Sequence, residues 1–217
     1  MTYRTRRDDA DDVVAGIRSR GGAATSLALD VSCPDQFGAV FDAAEGFFSD
    51  AGARGLGVLV ANAGVAAHQP LSDIAPGEWD RVMAINARGT LLSVQHAAAR
   101  MLDGGRIIVV STIGTSWPSP GETVYTASKA AVEQISRVAS RELGARGITV
   151  NTISAGPTDT DLLRAGAPPD ALEGAAAMTA LGRIGQPGGI ADLVGLLAGP
   201  DSRWITGQNV RADGGLT

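Results

Sequence analysis

Three short aliphatic runs limit what this chain can fold into. They are Leu56 to Ala61, Arg106 to Val110 and Gly147 to Ile153. Each has strand length, and the first is apolar on both faces, as strands buried inside a parallel sheet are. Longer segments with helical periodicity lie between them. One runs from Glu78 to about Leu102 through Trp79, Val82, Met83, Ile85 and Leu91. Another starts around Tyr125 and reaches about Leu143. Strands alternating with helices predict an α/β fold, a parallel sheet covered on both sides. The rest of the chain fits that scheme. Asp8 to Arg20 reads as a helix, acidic in its first turn and stopped by Gly21-Gly22. Thr25 to Val31 reads as a strand, Ser32 to about Gly52 as a turn and helix, Pro187 to Ala198 as a helix, and Gly207 to Ala212 as a last strand. Residues 1–5 look like the tail of a strand. Residues 155–186, rich in Gly, Ala and Pro, read as an irregular mobile loop. There is no internal repeat and no linker, so residues 1–217 are expected to form a single domain.

In open parallel sheets, ligands bind outside the carboxyl ends of the strands. Those ends are Asp30-Val31, Asn62-Ala63-Gly64, Ser111-Thr112 and Ser154 to Thr158. Each turns polar or glycine-rich straight after an apolar run, which predicts one shared crevice.

Tyr125-Thr126-Ala127-Ser128-Lys129 opens the helix that follows the third of these ends. Residues four apart share a helix face, so phenol and ammonium point the same way. A free phenol titrates near ~10, and a nearby positive charge favours the phenolate. A Tyr tuned in this way can exchange a proton with an alcohol. Of the 18 Lys and Arg, 17 are Arg, which makes Lys129 the only lysine.

Composition excludes several classes. The net charge is −5 without a long run of one sign, which argues against nucleic acid as a partner. No apolar run approaches the ~20 residues of a membrane span, and the Arg-rich start lacks the apolar core of a signal peptide. A cytoplasmic location is the expectation. The lone cysteine, Cys33, is expected to be an inert thiol. No His/Cys/carboxylate grouping has metal-ligand spacing, so no metal is expected. His96 falls mid-helix, where a structural role is expected. His68 lies in the loop after Gly64, where it could brush a substrate, but it is not expected to be catalytic.

Taken together and in order, these motifs resemble the short-chain dehydrogenase/reductase family, from about Tyr3 to the end. The marks are Asp30-Val31, Asn62-Ala63-Gly64, Asn86, Ser111, Tyr125 with Lys129, Asn151, Gly156-Pro157-Thr158 and the tail with Asp213-Gly214-Gly215. The resemblance implies a Rossmann-like, doubly wound, three-layer sheet. It also implies hydride transfer between a nicotinamide cofactor and a carbonyl/alcohol pair, as in a ketoreductase. Tyr125 would be the general acid/base. Lys129 would lower its pKa and bind the nicotinamide ribose, and Asn86 would hold a water linking Lys129 to solvent. Asp30 and Val31 would touch adenine, Asn62, Ala63 and Gly64 would line the adenosine, and Gly156 and Thr158 would contact the nicotinamide amide. A hydroxyl beside Tyr125 should bind the substrate carbonyl. Ser111 is favoured for it, with Thr112 left open, and Trp117 could wall the substrate. Arg4, Arg6 and Arg7 lie where this fold distinguishes its cofactors, and no acid precedes Asp8. NADP(H) is therefore preferred, with NAD(H) the alternative. The Ala-rich helices and the last strand imply a homodimer or homotetramer.

The sequence also departs from the family. Its opening strand, glycine-rich turn and first helix, a unit of ~30 residues, are absent, so the fold is expected to be N-terminally truncated. Gly52 to Gly57 precedes a strand and reads as a turn, not a phosphate loop. Loss of a central strand would leave its neighbours with open edges. Ala155 replaces the usual Pro before Gly156. Two readings follow. One is an NADP(H)-dependent oxidoreductase of small carbonyls or alcohols. The other is a cofactor-poor, catalytically silent scaffold of the same fold.

Overall fold

The aliphatic runs do become strands. In the computed structural model, which describes residues 1–166 and 169–216, the order is β1 (Thr2–Tyr3), α1 (Arg7–Ser19), β2 (Leu27–Ala28), α2 (Gln36–Asp50), β3 (Val58–Ala61), α3 (Pro76–Val82) and α4 (Gly89–Arg100). Then come β4 (Arg106–Thr112), α5 (Thr123–Leu143), β5 (Thr149–Ala155), α6 (Asp161–Gly166), α7 (Pro169–Met178), α8 (Pro187–Ala198) and β6 (Asn209–Ala212). All strand pairs are parallel. The register runs Val58 to Arg106, Ile107 to Val150 and Thr152 to Asn209. Helices α4 and α5 cover one face of β3 to β5, α2 packs on α4, and α8 lies over β4, β5 and β6. Ile107, Val109, Val150 and Val132 form the core under α4 and α5, while Ile108, Ile153 and Leu197 form the core under α8. Each fully buried aliphatic side chain stabilises by ~1.5–3 kcal/mol.

The strands fall into two separate sheets. One has the order β3-β4-β5-β6 and the other holds β1 and β2 alone. The expected open edges are therefore present among the described residues. A cavity of about 440 Å³ lies between the sheets, walled by Thr2, Leu29 and Val31 on one side and Val60, Asn62 and Ala63 on the other. Leu56 to Ala61 does not behave as a strand buried on both faces. Val58 and Val60 are 41% and 42% exposed, because α8 covers β4 to β6 and leaves this side of β3 bare.

Two further expectations change. Only Leu27–Ala28 of the run Thr25 to Val31 is a strand, because β1 offers just two residues to pair with. The segment 155–186 is not all irregular. It contains α6 and α7, short helices whose described side chains are mostly exposed, so no apolar stripe marks them. Residues 167 and 168 of that segment lie outside the described residues. No helix is long and apolar enough to cross a membrane, and no cluster of three metal-ligating side chains occurs, among the described residues.

Candidate active site

Helix α5 places Tyr125, Lys129 and Glu133 at successive four-residue steps. They share the face that meets the carboxyl end of β4. Lys129 is 5% exposed, and its Nζ donates to the Val110 carbonyl at 2.9 Å. Burial lowers its pKa to about 8. The ammonium lies 6.0 Å from the Tyr125 ring centroid. A Cβ at Gly64 would sit 3.3 Å from both Lys129 Nζ and Asn86 Oδ1, so glycine lets the end of β3 approach the ammonium closely.

Tyr125 is half-buried, and the Thr112 side chain lies near enough to its hydroxyl to favour the phenolate. Burial pushes the phenol above its ordinary value, the Thr112 side chain acts the other way, and the Glu122 charge adds to the rise. The expected lowering by Lys129 is therefore not met in the free protein. Desolvation is the largest cause of the shift.

Ser111 and Thr112 point to opposite sides of the strand, as neighbours must. Ser111 Oγ is buried and donates to Glu133 Oε1 at 2.8 Å. Thr112 presents its hydroxyl to Tyr125 and also accepts from the Gly114 amide at 3.2 Å. Ser111, the hydroxyl favoured beside Tyr125, is thus engaged by Glu133, and Thr112, the open alternative, is the one whose side chain acts on the phenol.

Asn86 is fully buried in a single turn of π-helix, Met83–Arg88, that joins α3 to α4. Such turns rotate one residue out of the regular register. Its side chain accepts from the Val65 amide at 2.8 Å and donates to the Val65 carbonyl at 2.9 Å and Ser128 Oγ at 3.0 Å. The amide thereby straps the loop after Gly64 to α5. A water held by Asn86 would have to use its main chain.

The remaining candidates flank this centre. Asp30 accepts from the Ser32 hydroxyl at 2.7 Å and the Ser32 amide at 2.9 Å, which hold its carboxyl below the usual range, with a smaller contribution from the Arg4 charge. Val31 packs so tightly on α4 that a Cβ at Gly89 would lie 2.9 Å from Val31 Cβ. Arg6 pairs with Asp9 and Asp161, and Arg7 with Asp11. The Gly156 amide donates to Ala212 at 2.9 Å, and a Cβ there would fall 2.6 Å from Asp213 Cα. Thr158 Oγ1 donates to the Gly156 carbonyl at 2.9 Å. Trp117 stands half-exposed on the loop before α5. His68 lies against Gly121 next to Glu122, whereas His96 stacks between Phe37 and Phe41, a packing role as expected. Asn151, buried in β5, donates to the Ile205 carbonyl at 2.7 Å and so anchors the approach to β6.

The donor set suits a nicotinamide dinucleotide at both of its ends. Val31, Asn62 and Ala63 line the cavity between the sheets, the place where an adenosine was expected. Tyr125 and Lys129 stand at the carboxyl end of β4, and Gly156 and Thr158 follow the carboxyl end of the adjacent β5. Between those ends, the described residues form no glycine-rich turn that leads from a strand into a helix. Glu133 and Thr115 were not foreseen from the sequence. The signal was the carboxylate one helical step beyond Lys129 on the same face.

A family model described as Enoyl-(Acyl carrier protein) reductase, of the short-chain dehydrogenase/reductase type, matches residues 1–217. An uncharacterized oxidoreductase of Methylorubrum extorquens is 36% identical over 218 residues, covering 100% of this chain and 86% of the relative. An NADPH-dependent aldehyde reductase-like chloroplastic protein of Arabidopsis thaliana is 32% identical over 99% of this chain and 83% of its own length. The crystal structure of the angucycline C-6 ketoreductase LanV with bound NADP superposes with a TM-score of 0.92 at 38% identity, over 99% of this chain and 84% of LanV.

Proposed function

Because the chain belongs to the short-chain dehydrogenase/reductase family, an oxidoreductase family, we propose that it is an NADP(H)-dependent enzyme interconverting a small carbonyl compound and its alcohol. The observation that carries this reading is the convergence of the Tyr125 phenol, the Thr112 hydroxyl and the buried Lys129 ammonium at the carboxyl end of β4. The reduced nicotinamide, when bound, supplies hydride to the carbonyl carbon. The chain's own residues handle the oxygen. Thr112 donates a hydrogen bond to it and holds it beside Tyr125. Tyr125, whose raised pKa keeps it a neutral phenol near pH 7, gives up its proton to the developing alkoxide. Lys129, charged at neutral pH, stabilises the phenolate left behind and is placed to bind a ribose hydroxyl. Arg4 would meet a 2′-phosphate, which supports NADP(H) over NAD(H), as do the NADP bound to LanV and the NADPH named for the plant relative.

The protein is read as a homodimer or homotetramer in the cytoplasm. Leu91 on α4, Val138 on α5 and Trp204, 96% exposed before β6, support association through those surfaces. Sedimentation showing only monomer at micromolar concentration would remove that part. A second reading, a catalytically silent scaffold, is favoured by the break between the two sheets. Fluorescence titration with NADPH and NADH separates the two. We expect NADPH to bind more tightly, and Tyr125→Phe to abolish reduction of a carbonyl panel while binding and melting temperature hold. Absence of binding by either nucleotide favours the scaffold, and undiminished turnover in Tyr125→Phe removes Tyr125 from its role.

A further inference from the structure

Glu133 is a carboxylate with 7% exposure, set two helical steps beyond Tyr125. Its nearest cation is the half-exposed Arg137, whose Nη2 is 3.9 Å from Oε2. That pair is too long and too wet to explain why a charge is buried here. The other oxygen, Oε1, explains it better. Three hydroxyls converge on it: Ser111 at 2.8 Å, Thr115 at 2.7 Å and Ser154 at 3.2 Å. They come from the end of β4, the turn after it and the end of β5. An ionised carboxylate oxygen is an acceptor only, with lone pairs enough for such convergence, whereas an amide in its place would bring donors toward hydroxyls.

The geometry of these contacts brackets Thr112. Ser111 precedes it directly, and Thr115 Oγ1 also lies 3.0 Å from the Thr112 carbonyl. Thr112 thus has a neighbour on each side anchored to a single atom of α5, the helix that carries Tyr125. We propose that Glu133 is a positioning residue that fixes the turn from Ser111 to Thr115 against α5, so that the Thr112 hydroxyl is held toward the Tyr125 phenol. Through Ser154 it ties the strand leading to Gly156 to the same point. The assignment rests on the oxidoreductase reading for its catalytic meaning, but not for its geometry.

The test uses the chain's two tyrosines, Tyr3 and Tyr125. In a Tyr3→Phe background, tyrosine labelled with carbon-13 at Cζ gives one resonance, which reports hydrogen bonding of the Tyr125 hydroxyl at neutral pH. Thr112→Val sets the position of the broken bond. Glu133→Gln and Ser111→Ala should each move the resonance at least half of the way to that position, and the double variant should move it no further than Glu133→Gln. Ser111→Ala, a milder change, keeps the test usable where Glu133→Gln fails to fold. A resonance unmoved in Ser111→Ala, with only a lowered melting temperature, overturns the proposal, since stabilisation alone predicts that pattern. Where turnover is measurable, Glu133→Gln should lose about tenfold in kcat at constant KM. If no carbonyl is turned over, the oxidoreductase reading fails while the resonance still decides the positioning role.

Discussion

Replacing Lys129 with methionine should make the protein more stable and inactive. In the folded chain this ammonium titrates at about 8, against 10.5 when solvated. Holding it protonated at pH 7 therefore costs ~3 kcal/mol, at ~1.36 kcal/mol per unit. Methionine keeps an unbranched stem of similar length and removes the charge. The hydrogen bond to the Val110 carbonyl is lost, which costs about 1 kcal/mol. A net gain of ~2 kcal/mol at pH 7 remains, or a melting temperature higher by roughly 4–8 °C in a chain of this size. The pH dependence carries the diagnostic sign. Because the folded value is the lower one, the unfolded chain binds the extra proton between pH 8 and 10.5, and the parent's stability gains from this group as pH rises through that window. Lys129→Met lacks the term, so its advantage should shrink from pH 7 to pH 9.5. Denaturant melts of both proteins at the two pH values read the difference. A variant less stable than the parent at pH 7, or an advantage that does not change with pH, would falsify the account of Lys129 as a buried, strained cation.

Other outcomes follow from particular contacts. Asn86→Ala removes both bonds to the Val65 main chain and one to Ser128, and should lower stability by ~2 kcal/mol in urea melts; a loss under ~0.5 kcal/mol would contradict the strap. Gly156→Ala forces a Cβ to within 2.6 Å of Asp213 Cα and should cost ~1–3 kcal/mol, with NADPH affinity falling as well; a neutral melt would mean that the loop yields freely. Arg4→Ala should weaken NADPH binding about tenfold and leave NADH binding alone, whereas equal losses for both would remove Arg4 from 2′-phosphate recognition.

How much of this was readable in the chain depends on how far each feature is a matter of local chemistry. Aliphatic runs such as Ile107 to Val110 announce strands, and the Pro at the start of α8 marks a helix, because burial and backbone geometry write those patterns directly. The exposure of Val58 and Val60 was not readable, since it depends on which helix covers a strand and not on the strand itself. Helices α6 and α7 escaped notice because helices with little buried face need no periodic stripe. At the site, the pairing of Tyr125 with Lys129 followed from four-residue spacing. The choice between Ser111 and Thr112 was not readable, since it depends on what each hydroxyl meets in three dimensions, and Ser111 meets Glu133. The direction of the Tyr125 shift was missed because sequence names charges and is silent on desolvation.

The division of the strands into two sheets also shapes how this protein opens. No ladder of main-chain hydrogen bonds crosses from β1 to β3 among the described residues. The small sheet is joined to the larger one by the packing of α2 on α4 and by a few polar contacts, such as the Arg88 bond to the Ser32 carbonyl. Cooperativity is weakest where few bonds must break together, so β1 and β2 would be expected to open before β3 to β6, with amide protection in two tiers. A molecule that touches Asp30 on one side and Asn62 on the other would bridge that seam. Its binding free energy would be linked to the docking of the smaller unit, and ligand occupancy would then govern how firmly the two sheets move as one body.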